Sequence, residues 1–294
     1  MSTITKVASV DSTHSKGLAW MVLSTILFVC VDAVIKQAGE TVHPFEIGFF
    51  RNVFGFIFLL PALYRGSFQA MRTSRLHMHF LRGIVGLGAT LTFFYALTVV
   101  PLVEVISISF AIPIFAVVLA ALILRERPSL SQWALIFMGF VGALIIIRPG
   151  YVPLSFGTVI VVISALLNAF VYIIVKRLSR TDSSLSISAW MCVSVGTLSL
   201  PFAAYNWTWP TLYEYGLMAL IGILATSAQY AIAEAFRNAD ASAMMPAEFL
   251  KLIWAAIIGY IVFSETVSFW VYFGAFVIIL ANMLSAIEKR RYTQ

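Results

Sequence analysis

Two opposite charges sit inside an apolar stretch of this chain. Residues 241–266 read ASAMMPAEFLKLIWAAIIGYIVFSET, with Glu248 and Lys251 near the middle of the run from Met244 to Phe263. A run of about 20 residues, rising about 1.5 Å per residue, crosses a hydrocarbon core of about 30 Å. Residues three apart on a helix share a face and can pair. Each charge costs roughly 2.5–3.5 kcal/mol at a helix centre on insertion scales, so such a helix turns both groups toward protein or a wet cavity. The pair can form the charged floor of a solute site, or it can lock helix packing. Trp254 shares the face of Lys251 and is placed either to stack on a planar or cationic ligand or to pack.

Other polar groups lie at comparable depth. Asp32, in FVCVDAVIK, is a carboxylate able to bind a cation or exchange a proton, or else a hydrogen-bonded packing group. Arg51, in HPFEIGFFRNVFGF, is deep enough to need a partner or a snorkelling route. Asp32 and Glu46 are its candidate partners, a structural ion pair being the expectation for Glu46. Arg51 could also fix a carboxylate or phosphate. Tyr95, Glu104, Ser107 and Ser109 follow, and Pro113, inside SFAIPIFAVV, should kink its helix by removing a backbone bond. Asn168 and Tyr172 stand one turn apart. Gln229 and Tyr230 can orient a ligand, and Glu234 falls close to a helix end, where a surface role is expected.

Enzyme chemistry finds no support. The four histidines, His14, His43, His77 and His79, fall in tails or loops, and His77 and His79 read as solvated. There is no HExxH zinc motif and no phosphate-binding GxxxxGK[ST] loop, so no metal, cofactor or catalytic residue is assigned. Cys30 and Cys192 lie in apolar runs and read as packing residues.

The elements that must position these groups are membrane helices. The chain is 61% hydrophobic and 11% charged, with mean hydropathy +0.95, whereas a soluble domain carries about 25% charged residues. Apolar runs predict helices at about 17–38, 45–64, 80–100, 102–124, 131–148, 155–176, 185–205, 213–236, 242–263 and 267–287. Backbone amides in lipid must bond within their own segment, which makes this an all-α, polytopic bundle of ten transmembrane helices. Residues 1–16 read as a mobile, cytoplasmic N-terminal tail and 289–294 as a basic cytoplasmic C-terminal tail.

With the N-terminus cytoplasmic, all but four of the 19 Lys and Arg residues fall on the cytoplasmic side; Lys36 and Arg148 lie outside, and Arg51 and Lys251 lie within helices. This bias follows the positive-inside rule. It accounts for the net charge of +6 as topology, so nucleic-acid binding is not needed to explain it.

The chain also repeats itself. A shift of 140 aligns Gly17 with Gly157, Lys36 with Lys176 and Pro61 with Pro201; a shift of 139 aligns Ala96 with Ala235, Ser107 with Pro246, Phe110 with Phe249 and Glu126 with Glu265. Each repeat holds five helices, 17–150 and 151–288, so the second enters the membrane inverted. Inverted repeats are a plan of secondary transporters, whose substrate site lies near the midplane between the halves.

These stretches resemble the EamA family of the drug/metabolite transporter superfamily. The resemblance is carried by HPFEIGFFRNVFGFIFLLP at 43–61, by the continuous segment 81–150 and by NADASAMMPAEFLKLIWAAIIGYIVFSETVSFW at 238–270. Within the family the chain is most similar to bacterial S-adenosylmethionine uptake carriers, and also similar to riboflavin carriers. The resemblance implies a cavity lined by helices 1, 3, 4, 6, 8 and 9. By position it favours Asp32, Tyr95, Ser109, Asn168, Tyr172, Tyr230, Glu248 and Lys251. At AEFLK, 247–251, relatives often carry a Tyr beside the acidic residue and Arg in place of Lys, and Lys lacks the planar bidentate fork.

The expectation is a secondary carrier in a bacterial inner membrane, moving a small organic metabolite by alternating access. S-adenosylmethionine-like uptake leads, with riboflavin uptake or export of an amino-acid-like metabolite as alternatives, and a membrane enzyme or a structural or sensory protein as other classes. Its partners are the small-molecule substrate and the lipid bilayer. Proton coupling at Asp32 or Glu248 and solute exchange both stay open. Gly83 and Gly86 permit close helix contacts within a chain or across a homodimer.

Overall fold

The computed structural model describes residues 2–66, 68–99, 108–147, 156–205, 207–263 and 269–291. The regular elements among them are helices: α1 (Ser2–Ala38), α2 (Pro44–Arg65), α3 (Leu76–Val99), α4 (Ile112–Ile123), α5 (Leu130–Ile147), α6 (Phe156–Leu178), α7 (Ser184–Tyr205), α8 (Leu212–Asn238), α9 (Ala241–Met244), α10 (Leu250–Phe263) and α11 (Phe269–Arg291). One 3-10 turn, Met245–Phe249, joins α9 to α10 as the ninth crossing, and another, Gln69–Met71, lies between α2 and α3. The protein is an all-helical polytopic membrane protein of ten helices in two repeats.

Glu104, Ser107, Arg148 and Glu265 lie outside the described residues. The polar stretch from Ser2 continues α1, a helix of 37 residues, instead of lying apart from it. The fourth and ninth crossings are broken where continuous helices were expected. Ile108 and Ser109 are helical, the chain turns at Phe110–Ala111, and α4 starts afresh at Ile112. Pro113 therefore occupies the first turn of α4 and is not in a helix interior. That position suits proline, whose missing N–H would have no partner there anyway.

The helix pairs obey the repeat. α1 packs on α8 as α6 packs on α3; α2 packs on α8 as α7 packs on α3; and α1 packs on α10 as α6 packs on α4. α2 pairs with α7, and α5 with α11. Exchanging the halves maps this set of interfaces onto itself, as a pseudo-two-fold arrangement requires.

The interfaces are made of small residues. Ala225, Ala228, Ala231, Ala233 and Ala235 on α8 are fully buried. A Cβ on Gly222 would lie 2.8 Å from the backbone N of Gly55, and a Cβ on Gly83 would lie 2.8 Å from Ser194 of α7. Gly83 thus serves a contact within the chain. Lipid tails are as apolar as leucine, so close backbone approach between small residues contributes to helix association here. Some large side chains, such as Phe236 and Phe249, are fully buried, while others, such as Leu122, Leu130, Ile261 and Phe276, are exposed. At the end away from the N-terminus, Tyr205, Trp209 and Tyr213 are exposed as an interfacial belt of aromatics.

Candidate substrate site

The break in the ninth crossing decides how Glu248 and Lys251 meet. Glu248 belongs to the 3-10 turn and Lys251 to the first turn of α10. Side chains three apart eclipse one another in 3-10 geometry. Accordingly Lys251 Nζ lies 2.5 Å from Glu248 Oε2. Tyr172 Oη, from α6 in the same repeat, donates to that oxygen at 3.0 Å, and Lys251 Nζ is 3.5 Å from Tyr172 Oη. Both donors converge on one carboxylate oxygen. The other, Glu248 Oε1, is buried and has no hydrogen-bond partner among the described residues.

The first repeat supplies the facing wall. Phe28 of α1 carries Lys251 Nζ 4.8 Å from its ring centroid. Trp254 Nε1 donates to Thr25 Oγ1 of α1 at 3.1 Å, and that hydroxyl donates to the Val22 carbonyl at 2.7 Å. Asp32, further along α1, is exposed, yet Lys251 of α10 and Arg51 of α2 both lie within its electrostatic reach. Tyr230 of α8 meets Trp20 of α1 edge to face, with centroids 6.0 Å apart.

Among the remaining expected residues, Asn168 stands one turn before Tyr172, but its amide donates to the Ser164 carbonyl of its own helix. Ser164 in turn donates to the Ala89 carbonyl of α3 at 2.9 Å. Ser109 is half-buried beside the turn before α4, and Tyr95 is exposed near the end of α3. Glu46 does not pair with Arg51. It accepts from the backbone N–H and the hydroxyl of Thr208, at 2.6 and 2.7 Å, and so fastens the segment before α8 onto α2.

Glu248, Lys251, Tyr172 and Trp254 of the second repeat thus meet Phe28 and Thr25 of the first. Comparison with known proteins agrees with that architecture. The EamA-like transporter family matches residues 15–148 and again 155–287. This chain belongs to that family. Proteins similar to this chain include an S-adenosylmethionine uptake transporter of Rickettsia bellii, 30% identical over 279 residues, covering 95% of this chain and 96% of that one. A riboflavin transporter of Brucella anthropi is 30% identical over 277 residues, covering 90% and 95%. A pseudopaline exporter of Pseudomonas aeruginosa is 26% identical over 276 residues, covering 93% and 97%. A solved crystal structure shares the fold with TM-score 0.82 at 16% identity, covering 96% of this chain and all of that one. The EamA chain described here is a metabolite transporter, a multi-pass membrane protein that acts on a small molecule, and not an enzyme.

Three sets of residues in this EamA chain escaped the reading of the sequence. The first is a lock at the end of the bundle nearest the N-terminus. Glu126 accepts from the backbone N–H groups of Ala241 and Ser242, at 3.2 and 3.0 Å, holding the start of α9. Lys176 Nζ donates to the carbonyls of Phe236 and Ala239 at the end of α8 and lies 3.6 Å from Asp240. A carboxylate on a helix start and an ammonium on a helix end both complement the helix dipole. The repeat had marked Glu126 and Lys176 only as aligned positions.

The second set corrects His79, which is buried and not solvated. Its Nε2 is 2.7 Å from Asp182 Oδ2, which also accepts from Thr73. The partner is over a hundred residues away in sequence, between α6 and α7, so local pattern carries no signal for it. The third is Arg82, 2% exposed in α3, which had been counted among the basic residues of the cytoplasmic side. A basic residue near a span boundary reads as an orientation signal whether it faces water or the bundle.

Proposed function

We propose that this EamA transporter takes up a small organic metabolite of the S-adenosylmethionine type across a bacterial inner membrane, by alternating access, with both termini cytoplasmic. The single observation that carries this reading is the polarity of Glu248. One oxygen pairs with Lys251 and accepts from Tyr172; the other is buried and unpartnered. An unsatisfied buried carboxylate oxygen is costly, and a substrate cation satisfies it. An entering ammonium or sulfonium competes with Lys251 for Glu248, and Asp32 supplies a second carboxylate nearer the open side.

Alternating access fits the two ends of the bundle. Glu126 and Lys176 hold α8 and α9 together at one end, while Asp32 and Tyr95 are exposed toward the other. Reversal exchanges the roles of the two repeats. Proton coupling would act at Asp32 or Glu248.

The test is uptake of labelled S-adenosylmethionine by cells lacking a route for it, with and without this protein, challenged by excess unlabelled riboflavin and amino acids. Saturable uptake blocked only by close analogues is expected. No uptake despite good membrane expression would sink the sulfonium reading. Riboflavin uptake or export of an amino-acid-like metabolite would then lead, in line with the names carried by the other two relatives.

A further inference from the structure

Two residues of α1 meet two residues of α10 in register. Thr25 and Phe28, three apart, share a face of α1, and Lys251 and Trp254, three apart, share a face of α10. Trp254 Nε1 donates to Thr25 Oγ1 at 3.1 Å, and Lys251 Nζ lies over the Phe28 ring, 4.8 Å from its centroid. The first contact holds the two helices together one turn from the second. Lys251 Nζ thus stands between a carboxylate of its own repeat, Glu248, and a ring of the other. At that distance the ring face attracts a cation. The Lys251 side chain is 25% exposed, whereas that of Glu248 is 7% exposed. The ammonium is therefore the exchangeable partner of a carboxylate that is itself enclosed.

The repeat separates this arrangement from helix packing. A shift of 140 places Phe28 on Asn168, and a shift of 139 places Glu248 on Ser109 and Lys251 on Ile112. The interface of α6 with α4 corresponds to that of α1 with α10. At the matching positions it has no ring and no charge, and Asn168 turns its amide back to the Ser164 carbonyl. The helices pack alike in both halves, so packing alone does not call for an ammonium over a ring.

We infer that Phe28 is a specificity-determining residue, whose ring, together with Glu248, receives the onium centre of the solute in the place that Lys251 Nζ keeps between transport cycles. This rests on the proposed uptake of a metabolite of the S-adenosylmethionine type and names the part of it that is selected. An onium with its charge spread over methyl and methylene groups has no N–H to satisfy, and a ring face suits it. Tyr172 donates to Glu248 Oε2 from outside the ion pair, so the carboxylate keeps a hydrogen bond when such a cation replaces Lys251. A neutral solute cannot compensate Glu248 in place of Lys251 and is selected against. When the onium leaves, Lys251 returns, and the carboxylate is not left as an uncompensated buried charge.

The experiment is a thermal-unfolding titration of the purified full chain in detergent with trimethylsulfonium chloride, against sodium chloride at equal ionic strength. Stabilisation that saturates with trimethylsulfonium and not with sodium is expected. Phe28→Leu should raise the half-saturating concentration about tenfold, within the range for a desolvated cation on a ring. Phe28→Tyr, which keeps the ring, should retain the original value. Lys251→Met removes the tethered competitor and should lower the half-saturating concentration about tenfold. If Phe28→Leu does not fold, Phe28→Met carries the comparison. A variant without the ring whose Tm falls while its half-saturating concentration stays would overturn the inference. Unchanged or weaker binding in Lys251→Met, or equal stabilisation by sodium, would overturn it as well. Uptake in cells separates this result from the substrate reading, with S-adenosylmethionine competing against its demethylated thioether, which lacks the sulfonium charge. Phe28→Leu should lose the preference for the sulfonium. An unchanged preference would remove Phe28 from recognition and keep the uptake reading. A trimethylsulfonium response that depends on Phe28, without uptake of S-adenosylmethionine, would keep the onium site and remove that substrate.

Discussion

Phe110 and Phe249 occupy aligned positions in the two repeats, and their rings stack on each other with centroids 6.1 Å apart and planes 21° apart. Each stands at the break in its crossing, Phe110 in the turn before α4 and Phe249 at the end of the 3-10 turn before α10. The pseudo-two-fold relation therefore passes close to this stack, where both interrupted helices change direction. Phe249 is fully buried, and Gly139 of α5 leaves room for it; a Cβ on Gly139 would come within 2.6 Å of its ring. Phe249→Ala should lower stability by about 3 kcal/mol or more, within the range for buried Phe to Ala. Phe110→Ala should cost less, because Phe110 is only half-buried. Denaturant unfolding in micelles checks the order of the two. An equal or reversed order would mean that the stack does not hold the junction.

The Glu248–Lys251 pair can be separated from packing by comparing single and double replacements. Removing one member of a buried pair costs about 3–5 kcal/mol, because the other is left uncompensated, whereas replacing both can be neutral. Glu248→Gln and Lys251→Met should each destabilise the protein and abolish uptake. The double variant should regain thermal stability without regaining uptake. Recovery of uptake as well would make the pair a packing lock only.

Tyr172 tests the role of the shared oxygen. Tyr172→Phe removes one donor to Glu248 Oε2 and leaves Lys251 in place. A hydrogen bond to a charged group is worth about 1.5–3 kcal/mol. The variant should insert normally and show a KM changed about tenfold or more, read from initial uptake rates. An unchanged KM would remove Tyr172 from the site.

The lock at the end nearest the N-terminus predicts a change in accessibility. Ser242 is 3% exposed beneath Glu126. In a Ser242→Cys variant, the introduced thiol should react slowly with a membrane-impermeant reagent applied from that side. Adding Lys176→Met removes the donor to the end of α8, and labelling should rise about tenfold. Unchanged labelling would show that Lys176 does not hold this end shut.

Much of this protein was legible in the sequence because the bilayer allows few solutions. Backbone groups in lipid must be satisfied within a helix, so length and hydropathy alone locate the crossings and the helical class. The inverted repeat followed from a few aligned residues, and the interfaces obey it. Glu248 and Lys251 were found from their spacing, because charge inside an apolar run is conspicuous.

Tertiary structure decided what those charges meet. The 3-10 join that brings Glu248 onto Lys251, the Tyr172 hydroxyl that adds to it and the burial of Arg82 all depend on contacts between distant segments. Arg82 stands near a span boundary, where a basic residue satisfies the same topological rule whether it faces water or the bundle. Glu46 stood as a candidate partner for Arg51 because a deep arginine needs one, but Thr208, 162 residues away, holds Glu46 instead. Hydropathy records the cost of placing a group at a given depth; only the packed helices determine which other group compensates it.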